Sequence, residues 1–307
     1  MKEGVTYSTD CAMDRIAEFV DESLTNKSIP ADITYVYFDL ETTGLSTQKA
    51  EICQIAAKAD VEEFEVFIKA VNGIPKNIAD LTGLSLHDDA MFYGDQQVNT
   101  LTLKTALQGF LEFLRRLGKP VILLAHNGNR FDIPLLVRDI RKADCWSEFD
   151  ELVCGVIDTY CLLKKLLTDL TLDFLGPEAT IGAHNALNDV IILQKIIKAA
   201  NISDEQLRAD IKSMSLLQKD LLTPARKKSL ECLQDLLSKG MIKKIAKAGI
   251  SLEILQHTFT EKKDQGVRLL LREDVGGHPR VTNTEKIIAN VITGVKNSLE
   301  TLPNILI

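Results

Sequence analysis

The stretch Ile33-Thr34-Tyr35-Val36-Tyr37-Phe38-Asp39-Leu40-Glu41-Thr42-Thr43-Gly44-Leu45 decides the reading of this chain. An apolar, β-branched run, Ile33 to Phe38, ends in two carboxylates one residue apart. Side chains two apart on a strand point to the same face, so Asp39 and Glu41 aim at one spot. Two acids held together repel each other and are costly unless a cation sits between them. A lone Asp-x-Glu is common, but this one has two distant companions. They are Asp132 in His126-Asn127-Gly128-Asn129-Arg130-Phe131-Asp132 and Asp189 in His184-Asn185-Ala186-Leu187-Asn188-Asp189. Together they predict a carboxylate cage for two divalent metals, with a histidine beside it.

Such a cage suits phosphodiester hydrolysis, which needs a nucleophilic water and help for the leaving oxygen. Two metals about 3.5–4 Å apart supply both. Mg²⁺, with Mn²⁺ as a substitute, takes oxygen ligands and keeps water positions open for phosphate. Asp39, Glu41, Asp132 and Asp189 are the expected ligands, with Asp39 bridging both ions. His184 is the expected proton acceptor, since an ordinary imidazole titrates near neutral pH. If Asp189 lies on a helix, His184 sits at its mouth. His126 reads as structural and Asp158 as a helix cap.

Around these motifs the periodicity predicts a mixed α/β sheet. Strands are expected at Ile33–Leu40, Ile52–Ala59, Glu62–Ala70, Val121–Ala125 and Val153–Ile157. Helices are expected at Asp10–Leu24, Leu101–Leu117, Arg130–Lys142, Thr159–Leu167 and Asn185–Ala200. The character changes near Asn201. Ser203-Asp204-Glu205-Gln206 opens a helix by a capping box, and Thr223-Pro224 opens another that Gly240 closes. Further helices are expected at 241–248, 251–262 and 284–298, with a hairpin joining Val267–Leu271 to Arg280–Thr282. The expected organisation is an N-terminal extension (1–31), a catalytic domain (32–200) and a small, mostly helical C-terminal domain (201–307).

The 307 residues carry a net charge of -7, unevenly divided. Residues 1–200 hold 19 Lys+Arg against 30 Asp+Glu, and residues 201–307 hold 17 against 13. An acidic half joined to a basic half fits a metal-dependent unit with a phosphate-friendly appendage. The basic runs Arg226-Lys227-Lys228 and Lys243-Lys244-Ile245-Ala246-Lys247 read either as solvated helix faces or as phosphate contacts, and no aromatic platform accompanies them. No apolar run approaches the roughly 18 residues of a membrane span, and no signal-peptide layout opens the chain. An intracellular protein, nuclear or cytoplasmic, is the expectation. The six cysteines form no C-x-x-C pair, which argues for reduced thiols rather than zinc or a disulfide framework.

The three acidic segments, in this order, resemble the motifs of the DEDDh 3′→5′ exonucleases. The similarity covers roughly residues 32–200. Leu81-Thr82-Gly83-Leu84-Ser85 and the run from Leu124 to Leu136 resemble the three-prime repair group of that branch. Gly276-Gly277-His278-Pro279-Arg280-Val281-Thr282 is similar to the C-terminal exonuclease-like region of promyelocytic leukaemia proteins. The resemblance implies a ribonuclease-H-like fold and release of nucleoside 5′-monophosphates from DNA 3′ ends, in DNA repair or a related process. It implies that Thr42 and Leu45 meet the terminal nucleotide and that Arg130 contacts phosphate. It also implies single-stranded DNA or DNA 3′ ends as partner, and a homodimer formed through sheet edges. Two departures bear on substrate choice. Phe131 stands where the repair enzymes carry tyrosine, and the segment Leu170–Ala183 is short. RNA 3′-end trimming and a catalytically silent, nucleic-acid-binding scaffold are the alternatives.

Overall fold

The computed structural model describes residues 28–166 and 184–300. The expected N-terminal helix and the Leu170–Ala183 segment lie outside them. Contacts divide the chain into two compact units, Met1–Ser215 and Leu216–Ile307.

The first unit is built on β1 (Thr34–Thr42), β2 (Ile52–Ala59) and β3 (Glu62–Ile68), an antiparallel meander. A separate small sheet follows, of β4 (Leu84–His87), β5 (Ala90–Tyr93) and β6 (Gln96–Gln97). The main sheet is completed by β7 (Thr100–Leu101), β8 (Val121–Ala125), β9 (Val153–Asp158) and β10 (Lys212–Ser213), in the order β10-β9-β8-β1-β2-β3-β7. β1, β8 and β9 run parallel. β8 is a continuous apolar run buried at all five positions, as a strand covered on both faces must be. β3 pairs with β2 along its length but with β7 only at Phe67 and Ile68, so most of its outer edge is unpaired by this sheet.

Helices flank the sheet. Leu103–Arg116 is capped by Thr102, whose side chain accepts from the Thr105 N–H, and it buries Leu107, Phe110, Leu111 and Leu114. Phe64 of β3 lies 5.9 Å from the Phe110 ring and 5.6 Å from that of Phe113. Ala186–Ala199 buries Val190, Leu193 and Ile197 in a cluster with Tyr37, Ala56, Ile122 and Leu124. The seven-stranded mixed sheet with flanking helices is the ribonuclease-H-like arrangement, followed by a helical C-terminal region. Among the described residues, no helix is long and apolar enough to cross a membrane, and Cys53, Cys145, Cys154, Cys161 and Cys232 are free thiols.

Several elements depart from the periodicity reading. Residues 71–100 gave no pattern, yet they hold a helix, Lys76–Thr82, and the β4–β6 sheet. Strands of two to four residues are too short to show alternation. The β4–β5 turn instead rests on Asp88 and Asp89, both at positive φ, which hairpin turns of this length demand. The helix Met214–Ser229 contains Pro224 rather than starting at it. The Lys219 carbonyl near this break accepts from Thr223 Oγ1 at 3.0 Å and from Arg226 Nη1 at 3.2 Å. Gly240 sits in the first turn of the next helix, Lys239–Lys247, capped by Ser238. The stretch Leu252–Arg272 is two helical segments broken at Lys263 (φ 50°, ψ -152°), so the expected helix 251–262 ends where the sequence placed it. The expected strand Val267–Leu271 lies in the second helical segment, with Val267 and Leu271 buried four residues apart. Only Asp274–Val275 and His278–Pro279 pair as a hairpin. A short apolar run fits either period, and here helical packing wins. Leu230, Leu233, Ile245, Leu255, Ile288, Val291 and Val295 share this unit's core. The Ser203 capping box forms as expected, over Asp204–Ala209.

Gly155 lets β10 approach the sheet. A Cβ there would lie 2.6 Å from Ile211 Cγ2 and 3.0 Å from the Lys212 carbonyl oxygen. Gly155→Ala is therefore expected to lower stability by about 1–3 kcal/mol, read as a reduced midpoint in urea. An unchanged midpoint would show that β10 moves aside freely.

Candidate active site

The acids gather at the carboxyl ends of the parallel strands β1, β8 and β9, where open α/β sheets place their ligands. Asp39 and Glu41 sit at the end of β1, opposite Ala56 and Gln54 of β2. Asp132 opens the helix Asp132–Lys142 beyond β8, and Asp189 lies in the first turn of Ala186–Ala199. A helix N-terminus favours an acidic side chain. Carboxylate oxygens of Asp39, Glu41 and Asp189 all lie within 4.8 Å of one another. Asp132 is close enough for its charge to act on both Asp39 and Glu41.

This crowding shows in the protonation behaviour. Burial, then the charges of Asp132, Glu41 and Asp189, push Asp39 well above the carboxylate range. Burial, Asp189 and Asp132 raise Glu41 to about 8. Asp132 rises to about 7, through burial, although backbone N–H groups of Asp132 and Leu40 pull it down. Asp189 is also raised by burial, against a hydrogen bond and charge from His184. The donor set is all carboxylate oxygen, which suits hard divalent cations, and a cation is what would offset the repulsion.

His184 stands at the mouth of the Asp189 helix, at φ 68°, and donates its backbone N–H to Asp189 Oδ2 at 3.1 Å. Asn185 caps the helix by accepting from the Asn188 N–H. Thr42 lies at a register shift between β1 and β2, its hydroxyl turned onto the Gly44 carbonyl. Leu45 is 85 % exposed. Arg130 is exposed in the turn after β8, near Cys161.

Three supports were missed by sequence reasoning. Gln54 is fully buried in β2. Its carbonyl accepts from the Ala186 N–H at 3.2 Å and its amide donates to Glu65 at 2.7 Å. A lone amide inside Ile52-Cys53-Gln54-Ile55-Ala56 was the available signal. Arg138, one turn and a half beyond Asp132, pairs through two nitrogens with buried Asp139 and donates to the carbonyls of Thr47 and Ala50, 2.9 and 2.8 Å away. It thereby pins the loop that presents Leu45. Asp158 caps its helix through Tyr160 and Cys161, as expected, but its second oxygen also accepts from the Asn129 N–H at 3.2 Å. That contact ties down the turn leading to Asp132.

An acid that keeps its proton longer in the folded chain than in the unfolded one lowers stability as pH rises between the two values. Unfolded carboxyls titrate near pH ~4, whereas Glu41 and Asp132 here reach about 8 and about 7. The metal-free chain should lose thermal stability as pH rises from ~4 to about 8. Asp132→Asn should flatten the slope. Melting temperatures in a chelator across this range check it, and a rising profile would contradict the crowding.

Comparison with known proteins agrees with the geometry. The family model described as "Exonuclease" matches residues 36–197, and the one described as "PML, C-terminal domain" matches residues 227–298. The DNA polymerase III PolC-type protein of Mycoplasma genitalium is 32% identical over 181 residues, covering 54% of this chain and 11% of that protein. That of Streptococcus pyogenes serotype M1 is 27% identical over 221 residues, covering 67% of this chain and 14% of the relative. The matched region thus spans a small fraction of these relatives. A zinc-bound crystal structure of an E. coli ExoI–ssDNA complex aligns with TM-score 0.44 and 15% identity, over 66% of this chain and 45% of that one. With its sheet, its acidic cluster and a family match across 36–197, this chain belongs to the exonuclease family.

Proposed function

We propose that this protein is a metal-dependent 3′→5′ exonuclease that hydrolyses DNA ends to nucleoside 5′-monophosphates. The observation that carries the reading is the convergence of Asp39, Glu41 and Asp189, with Asp132 and His184 beside them. In this reading residues 32–200 form the nuclease domain, preceded by an extension (1–31) and followed by a helical domain.

Asp39, Glu41, Asp132 and Asp189 would hold two Mg²⁺ ions, which when bound activate a water and stabilise charge on the departing oxygen. His184 accepts the water's proton. It stands just before the Asp189 helix, tied to Asp189 through its backbone N–H. Leu45, held out by the loop that Arg138 pins, wedges against the last base, an apolar contact indifferent to sequence. Thr42 offers its backbone N–H to the terminal sugar, and Arg130 is a fixed guanidinium donor for phosphate.

The test is digestion of a 5′-labelled single-stranded DNA oligonucleotide with Mg²⁺, beside an RNA of the same sequence. Wild-type protein should give a descending ladder on DNA, and Asp189→Ala none. His184→Ala should cut turnover by about 10²–10⁴-fold, the usual worth of a general base, while still binding metal. Mn²⁺ should raise the wild-type melting temperature by mass action, and Asp39→Ala should abolish that rise. A ladder on RNA alone would transfer the reading to RNA trimming. Metal binding without digestion of either substrate would sink the catalytic reading and leave a binding scaffold.

A further inference from the structure

Where the first unit gathers acids, the second gathers cations. Gly249, in the turn after the helix Lys239–Lys247, has φ +81°. The point its missing Cβ would occupy lies 3.7 Å from Arg280 Nη2, 3.9 Å from Lys219 Cε and 4.0 Å from Arg226 Nη1. Arg226, in a basic run whose sequence reads either as a solvated face or as phosphate contacts, is only 8 % exposed. Its guanidinium makes one hydrogen bond, to the Lys219 carbonyl at 3.2 Å. Among the described residues no carboxylate forms an ion pair with Arg226 or Lys219. Arg280 donates Nε to the Ala248 carbonyl at 3.1 Å and Nη1 to Glu273 at 2.7 Å. Among the described residues, Glu273 is the one carboxylate paired with this group, through Arg280.

Burial and the Arg280 charge both pull the Arg226 guanidinium below its ordinary range. Arginine does not shed its proton in proteins, so the strain stays until an anion relieves it. Capping of helix carbonyls accounts for Arg280 Nε. It leaves Arg226, and the Lys219 side chain beside it, without an ion-pair partner among the described residues.

We propose that Lys219, Arg226 and Arg280 form an anion site around Gly249 that takes a phosphate group. A tetrahedral phosphate oxyanion, whether a singly charged diester or a more highly charged free phosphate, accepts from two planar guanidinium forks and an ammonium at once. Bare backbone at Gly249 leaves the space that a side chain would fill. The phosphate is either part of a nucleic-acid backbone or a free phosphate compound. All these residues belong to the second unit, so the site stands independently of the nuclease reading.

The test uses the full chain in a chelator, which keeps metal-bound phosphate out of the acidic site. Inorganic phosphate should raise the melting temperature with saturation, and potassium chloride of equal ionic strength should not. Lys219→Gln, at an exposed position, should weaken the apparent phosphate affinity about tenfold, equal to ~1.4 kcal/mol. Arg226→Met should abolish the phosphate effect and, without phosphate, melt at or above the wild-type temperature, because it removes a buried unpaired charge. If Arg226→Met does not fold, the Lys219→Gln affinity decides. No response to phosphate, or a response that Lys219→Gln leaves unchanged, overturns the proposal. A fluorescent single-stranded oligonucleotide then separates the sources. Weaker binding by Lys219→Gln assigns the nucleic-acid backbone, and unchanged binding assigns free phosphate compounds.

Discussion

Mutual repulsion among buried carboxylates is the constraint on which the rest of the first unit depends. Four acids from three parts of the chain are held at one end of the sheet; burial makes all four harder to ionise, and the charges of their neighbours add to this at Asp39 and Glu41. Nothing in the acids themselves favours that gathering. It is imposed by elements whose apolar faces are buried elsewhere: β1 between β2 and β8, and the Ala186–Ala199 helix against Tyr37, Ala56 and Ile122. Packing supplies the free energy, and the acids store part of it as electrostatic tension. A cation entering the cluster would release that tension, so affinity for the ion and stability of the fold are linked.

The supports around the cluster share a pattern. Each fixes backbone near an acid without crowding the oxygens. Gln54 fastens the start of the Asp189 helix to β2, Asp158 fastens the turn before Asp132, and Arg138 fastens the loop after Glu41. All three are polar groups in buried or half-buried places that bond main-chain atoms near an acid, Gln54 and Arg138 placing their other donors on Glu65 and Asp139. That use orients acidic side chains while leaving their own lone pairs for other partners.

Much of the first unit was legible because long elements carry long patterns. The Leu103–Arg116 helix repeats its period often enough to exclude a strand, and β8 is read from its shortness, an unbroken apolar VILLA closed off by Gly118-Lys119-Pro120. Asp39, Glu41, Asp132 and Asp189 were legible because two acids share one face at a strand end and recur with two further acid-bearing motifs in a fixed order. The β4–β6 sheet was not, since its strands are shorter than the window that reveals alternation. Pro224 misled because a proline usually marks a helix boundary, whereas here the helix Met214–Ser229 continues through it. Val267–Leu271 was ambiguous in principle, its apolar spacing serving strand and helix alike. Gln54 and Arg138 act through main-chain carbonyls and N–H groups far along the chain, which no local pattern encodes.

The hydrogen bond from Ala186 to Gln54 spans 132 positions of sequence. Contacts of that separation form late, because closing so large a loop must be offset by contacts already made. A nascent chain that has emerged only through β9 holds Asp39, Glu41 and Asp132 but lacks Asp189 and the anchor that seats it. Such a fragment has its core strands and no complete cluster. The acidic cluster is thus incomplete until the Ala186–Ala199 segment has been made, and the wait is set by the order of the residues along the chain.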